Sequence, residues 1–305
     1  MQQFPNNARV VFIGDSITHA NNYAARVAAH YITHMPDAQI KFWNCGTSGA
    51  WARTIEMFLA DDILPHNPTH ATIMLGVNDS QRWLLDQPNV TDLQKKLDDG
   101  VADYAVRMER IVKTLMERGV KVTICIPAPY AEFCDTGAPA LVGGHALILR
   151  FAEEARKLAK KYALDMVDFH ARLSELYMVE ALYNSDHIHP NDFGHYRMAE
   201  CFLGAQGLEI DPFKPIAEVK AAAGLTEWSD EVAKLRSIYA AEWMIVKNYS
   251  LPTEQKLAFV EDYRANKRWG AMEVFDGLSQ QYLDNKPHQA EIQARVNEIM
   301  EKFYE

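Results

Sequence analysis

"VVFIGDSITHANNY", residues 10–23, begins with four apolar residues, turns on Gly14-Asp15-Ser16 and continues into a pattern of helical period. A short apolar run bounded by a turn reads as a fully buried strand, so the stretch is one strand–turn–helix unit. The same alternation recurs along the chain. Strands are predicted over Arg9–Ile13, Gln39–Trp43, His70–Leu75, Lys121–Ile126 and Leu164–Asp168. Between the first two, Tyr23, Val27 and Tyr31 recur at helical spacing until Pro36 stops them. Further helices are expected over Ala52–Leu64, from Leu93 to near Gly119, over Gly144–Tyr162, and after Asp192. Strands that alternate with helices in this way build a doubly wound, five-stranded parallel α/β sheet, with its ligand site beyond the carboxyl ends of the strands.

Bulk composition narrows the function. The chain has 305 residues, 48% of them hydrophobic, enough for one large domain or a domain with an appendage. A net charge of −10 and the absence of a basic patch argue against nucleic acid or an anionic membrane as partner. A small or neutral substrate suits it better. Cys45, Cys125, Cys134 and Cys201 show no C-x-x-C spacing, so neither a zinc ribbon nor a thioredoxin-like motif is indicated. The N-terminus lacks a basic region followed by an apolar run, and no stretch is long enough to span a bilayer; a cytoplasmic location is expected.

Ser16 falls just past the first strand, at a helix start where unpaired N–H groups favour developing negative charge. Read alone, Asp15 or Ser16 simply caps that helix. A phosphate-binding turn is the other simple reading, but neither G-x-G-x-x-G nor a Walker lysine is present. Two more strand ends carry polar turns: "NCGTSGAW", residues 44–51, with Gly46, and "LGVNDS", residues 75–80, with Asn78. Either is an ordinary loop taken singly. "NSDHIHPNDFGHYRMAE", residues 184–200, then places Asp186 three residues before His189. A serine hydroxyl needs a base to take its proton, and the base needs a third group to fix its tautomer; Ser16, His189 and Asp186 fit those roles. The same segment leaves a metal set open, Asp186, His187, His189, Asp192 and His195, as well as a structural loop histidine with Asp192 as helix cap.

"IGDSIT", the glycine of "NCGTSG", "GVND" and "DHIHP", in this order, resemble the four signature blocks of the SGNH (GDSL-type) hydrolases. The resemblance covers roughly residues 9–204, and "ICIPAPY" is similar to the region after the family's fourth strand. It implies a flavodoxin-like sheet and a serine esterase with catalytic Ser16, Asp186 and His189. It further implies an oxyanion hole formed by the Ser16 N–H, Gly46 and Asn78, and chemistry that needs no metal or organic cofactor.

The substrate is read less directly. "GDSIT", "NCGTSG" and "GVNDSQRW" look most like the branch that removes acetyl groups from sugars, which makes an acetylated carbohydrate the expected substrate. Candidate substrate contacts are Asp15, Arg82, Trp83 and Tyr130. Trp43, Trp51, Trp83 and Tyr130 lie near strand ends, where an aromatic face suits a sugar ring, although core packing explains most tryptophans. A lipolytic, lysophospholipase or thioesterase-type hydrolase is the alternative enzyme. A binding module that kept the fold is the non-catalytic reading, against which the complete triad argues.

Beyond residue 204 the character changes. Residues 205–224 mix Gly and Pro like a connector, and 225–305 read as a helical extension with helices over Glu227–Asn248, Thr253–Asp284 and Pro287–Tyr304. Leu235, Ile238, Met244 and Ile245 form one apolar stripe and Ile292, Val296, Ile299 and Met300 another. Such stripes must be covered, either by the sheet domain or by a second copy in a homo-oligomer.

Overall fold

The computed structural model describes residues 1–249, 255 and 280–305. Five strands, β1 (Arg9–Gly14), β2 (Lys41–Gly46), β3 (His70–Met74), β4 (Lys121–Ile126) and β5 (Asp165–Asp168), form one all-parallel sheet of order β2-β1-β3-β4-β5. The α/β fold expected from the sequence is the fold observed. Helices α1 (Ser16–His19), α2 (Tyr23–His34), α3 (Ala52–Phe58), α4 (Leu93–Glu117), α5 (Gly144–Lys161), α6 (Phe169–Leu176), α7 (Asp192–Ala205) and α8 (Ile216–Ala222) follow the strands and flank the sheet. Strand β1 has five consecutive buried residues, which is why it reads as an unbroken apolar run rather than an alternation.

Some boundaries differ from expectation for local reasons. Gln39 adopts φ of +49° at the end of a 3-10 turn, so β2 starts at Lys41 and runs on through Asn44, Cys45 and Gly46, which pair in register with Phe12, Ile13 and Gly14. The helix expected to reach Leu64 ends at Phe58, passes through a π turn over Leu59–Ile63, and closes in a 3-10 turn containing Pro65. Asn21 at φ of +49° separates the single turn of α1 from α2.

The extension packs on the β2 edge of the sheet. Among the described residues it holds α9 (Thr226–Tyr249) and α10 (Gln289–Glu301); of the helix expected over 253–284, residues 280–284 are helical and nearly all the rest lies outside the described residues. Leu235, Ile238, Ile245, Ile292, Val296 and Met300 are buried, Met244 and Ile299 half-buried, and the two helices pack on each other and on β2, so the stripes are largely covered within the chain. That removes the reason for invoking a second copy. Polar bolts join the two parts: Arg236 forms two hydrogen bonds to Asp62 at 2.5 and 2.6 Å, Trp43 Nε1 donates to Asn297, and the Tyr304 hydroxyl donates to the Ile40 carbonyl. Covering the edge strand also protects its unpaired backbone groups from other strands. Among the described residues no helix is long and apolar enough to cross a membrane.

Candidate active site

The carboxyl ends of β1, β2 and β3 lie side by side, because Gly14 pairs with both Gly46 and Met74. Three of the four blocks singled out in the sequence therefore meet at one edge. The turn out of β1 is tight: a Cβ on Gly14 would lie 2.1 Å from the Thr18 hydroxyl and 2.9 Å from the Met74 carbonyl. Asp15 caps α1, its Oδ1 accepting from the Ile17 N–H at 3.0 Å. Ser16 is thus the first residue of α1, half-buried, and its own N–H has no partner among the described residues. A first-turn N–H has no intrahelical acceptor, so this donor remains available to a ligand.

Ser16 Oγ lies 2.7 Å from His189 Nε2, and His189 Nδ1 lies 2.5 Å from Asp186 Oδ2. The neutral imidazole consistent with this line carries its proton on Nδ1 and accepts from the serine on Nε2. Partial burial pushes the Asp186 carboxyl up, but hydrogen bonds from the His189 ring and from the N–H groups of His189 and Ile188 outweigh it and hold the group well below the usual carboxylate range. The loop is pinned by His187, at φ of +60°, whose Nδ1 and Nε2 lie 2.8 Å from the Ala131 and Ala138 carbonyls. His187 is therefore a structural post. Asp192 pairs with Arg26, and His195 is buried and stacked on Tyr23, so the alternative metal set of the sequence does not converge.

Gly46 is not placed as expected. Its N–H donates to Asn44 Oδ1 at 2.8 Å and so is committed within the protein. The residue is a glycine for packing: a Cβ there would lie 2.3 Å from the His19 backbone nitrogen. The N–H of this loop without a partner among the described residues belongs to Gly49, at φ of +74°. Asn78 Nδ2 donates one hydrogen to the Ala50 carbonyl at 3.1 Å, which aims the amide and leaves its second hydrogen available.

The candidate substrate contacts divide. Asp15 is fully buried, and burial raises its carboxyl to about 6; it is a helix cap rather than a surface for substrate. Tyr130 is buried as well, its hydroxyl accepting from the Leu141 N–H and its ring against Gly144. Trp43 is buried at the interface with α10. Arg82 is half-buried, forms no hydrogen bond or ion pair among the described residues, and is drawn electrostatically to Asp186 and Asp15. Trp83 and Trp51, both half-buried, have ring centroids 6.2 Å apart, and Trp51 meets Trp243 of the extension at 6.1 Å. The sequence pointed to the extension, with Trp228, Trp243 and Trp269, as shaping the mouth of the site, but did not single out Trp243 as the residue that reaches it.

One further cluster has metal-ligating atoms in reach of one another, Cys45, Asp62 and His66. Both Asp62 oxygens are already bonded to Arg236, and burial raises the Cys45 thiol well above its ordinary range. The cluster is a buried polar seam under the extension.

Residues 12–197 match the GDSL-like Lipase/Acylhydrolase family. The chain belongs to this family. It is a carboxylic ester hydrolase of the GDSL type. An acetylxylan esterase of Geobacillus stearothermophilus is 24% identical over 220 residues, 66% of this chain and 94% of the relative. The structure of a catalytic mutant of an acetylxylan esterase from the same organism aligns with a TM-score of 0.59 at 20% identity, over 70% of this chain and 100% of that one. A gut microbial diltiazem-metabolizing enzyme aligns with a TM-score of 0.77 at 17% identity, over 100% of this chain and 96% of that chain. The second likeness thus takes in the helical extension of this GDSL hydrolase, and the first does not.

Proposed function

We propose that this GDSL hydrolase is a serine acetylesterase that removes acetyl groups from carbohydrates. The observation that carries the reading is the unbroken line from Ser16 Oγ through the His189 ring to Asp186, with hydrogen-bond distances of 2.7 and 2.5 Å. Ser16 Oγ attacks the ester carbonyl while Nε2 of His189 takes its proton. Asp186 stabilises the imidazolium that forms and keeps the ring in place. The oxyanion is received by the N–H groups of Ser16 and Gly49 and by the second hydrogen of the Asn78 amide, donors with no acceptor among the described residues. The imidazolium then protonates the leaving alcohol; water, activated by the same histidine, releases acetate and restores the serine.

The sugar assignment is supported by the acetylxylan esterase relative and by the half-buried Trp51 and Trp83, whose rings lie 6.2 Å apart. Arg82, without a protein partner among the described residues, is the group we assign to oxygen atoms of the alcohol part. A panel of acetylated mono- and oligosaccharides against p-nitrophenyl esters of increasing acyl length tests the reading. It is upheld by the highest kcat/KM on acetylated sugars with a steep fall beyond short acyl chains. Preference for long-chain esters would sink it.

A further inference from the structure

The loop that leaves β2, residues 47–51, is braced from four sides. The Thr47 N–H donates to the Gly14 carbonyl at 2.9 Å, and the Ser48 N–H to Nδ1 of His19 at 3.2 Å. The Trp51 N–H donates to the Thr54 hydroxyl at 2.9 Å. The fourth brace comes from the extension: Trp243 Nε1 donates to the Gly49 carbonyl at 2.6 Å. Trp243 is fully buried, and its ring also approaches Trp51 and the Arg53 guanidinium.

The place of that bond matters. The Gly49 carbonyl belongs to the peptide between Gly49, whose N–H has no partner among the described residues, and Ala50, whose carbonyl holds the Asn78 amide. Gly49 at φ of +74° is a residue whose backbone other contacts must hold in place. One indole N–H therefore fixes the plane that links two of the three oxyanion donors. Trp243 is itself held: Arg236, seven residues earlier and so on the same face of α9, is bolted to Asp62 with both side chains at most 1% exposed. We infer that the C-terminal extension is part of the catalytic apparatus, with Trp243 as a positioning residue that sets the Gly49–Ala50 peptide and, through it, the oxyanion hole. This inference rests on the serine esterase reading above.

The test compares two identical substitutions in one helix. Trp243→Phe keeps most of the ring and deletes the N–H. Trp228→Phe, also in α9 and equally buried, deletes an indole N–H that has no partner among the described residues. Rates on p-nitrophenyl acetate are normalised to the serine titrated with diethyl p-nitrophenyl phosphate, so unfolded molecules do not enter. Trp243→Phe is expected to lower kcat by about tenfold with little change in KM, and to raise the Ki of phenylboronic acid, whose tetrahedral adduct occupies the same hole, by a similar factor. Trp228→Phe is expected to leave both unchanged. Trp243→His and Trp243→Leu, with and without a ring N–H, give the same comparison on smaller side chains. Equal kcat and Ki in the Trp243 and Trp228 variants overturn the inference while leaving the esterase reading intact. Wild-type turnover that survives Ser16→Ala overturns both.

Discussion

The N–H of Gly46 ends on Oδ1 of Asn44, 2.8 Å away, while Asn44 Nδ2 reaches the Thr18 carbonyl at 2.7 Å. One asparagine side chain thus ties β2 to the turn of helix that carries Ser16. The two glycines of "NCGTSG" then have different work: Gly46 lets α1 approach, and Gly49 presents a donor.

Their alanine variants should separate accordingly. Gly46→Ala drives a methyl into the α1 backbone and is expected to yield little folded protein. In Gly49→Ala the new Cβ meets only ordinary contacts, 3.7 Å from Trp243 and Met244, so the variant should fold with a loss of about 1–2 kcal/mol from its positive φ and a much reduced kcat. Thermal melting and steady-state kinetics read both effects. A stable, active Gly49→Ala alongside a folded, inactive Gly46→Ala would reverse the assignment.

In the proposed mechanism the Asn78 amide acts as the oxyanion forms. Asn78→Ala is expected to lower kcat by about 10²–10³ with KM little changed, the usual effect of deleting one hole donor. A change confined to KM would make it a substrate-binding residue.

Asp79, beside it, is buried with Oδ1 accepting from the Ala52 N–H, and burial raises its carboxyl from 3.8 to about 7. The unfolded chain releases this proton near 3.8 and the folded protein holds it until about 7, so between these values the folded state binds more protons. Its contribution to stability therefore falls as pH rises through that window and is level on either side. Asp79→Asn keeps the acceptor and does not titrate. The melting temperature of the variant minus that of wild type should grow from about pH 4 to pH 7. A difference that is constant across the window would show that Asp79 does not titrate as its burial implies.

Much of this was legible in the sequence, and for identifiable reasons. Strand β1 is buried on both faces, so its apolar run and the turn at Gly14-Asp15-Ser16 carry their meaning locally. The pairing of Asp186 with His189 is also local, three residues apart on one loop. Gly46 and Gly49 were not separable that way, because which N–H is free depends on where the Asn44 side chain turns. Tyr130 and Trp43 sit near strand ends in sequence yet point into the protein, where packing outweighs stacking on a ligand. Trp243 reaches Gly49 across 194 residues of chain, a contact set by the docking of α9 that no periodicity encodes.

That docking has its own stability test. Arg236→Met leaves the buried Asp62 without its partner and is expected to cost about 3–5 kcal/mol in urea unfolding. Asp62→Leu combined with Arg236→Met should recover most of the loss, since the uncompensated charge is then gone. A double variant no more stable than the single one would show that the pair does not act as a unit.

The most direct measurement is the turnover of an acetyl ester by wild type and Ser16→Ala, each with circular dichroism to establish the fold. Ser16 Oγ is the only hydroxyl set against the His189 ring among the described residues, at 2.7 Å. Its removal should reduce kcat by several orders of magnitude, about 10⁴-fold or more, while the fold is retained. Near wild-type turnover from folded Ser16→Ala would contradict the assignment of Ser16 as nucleophile and with it the acyl-enzyme mechanism.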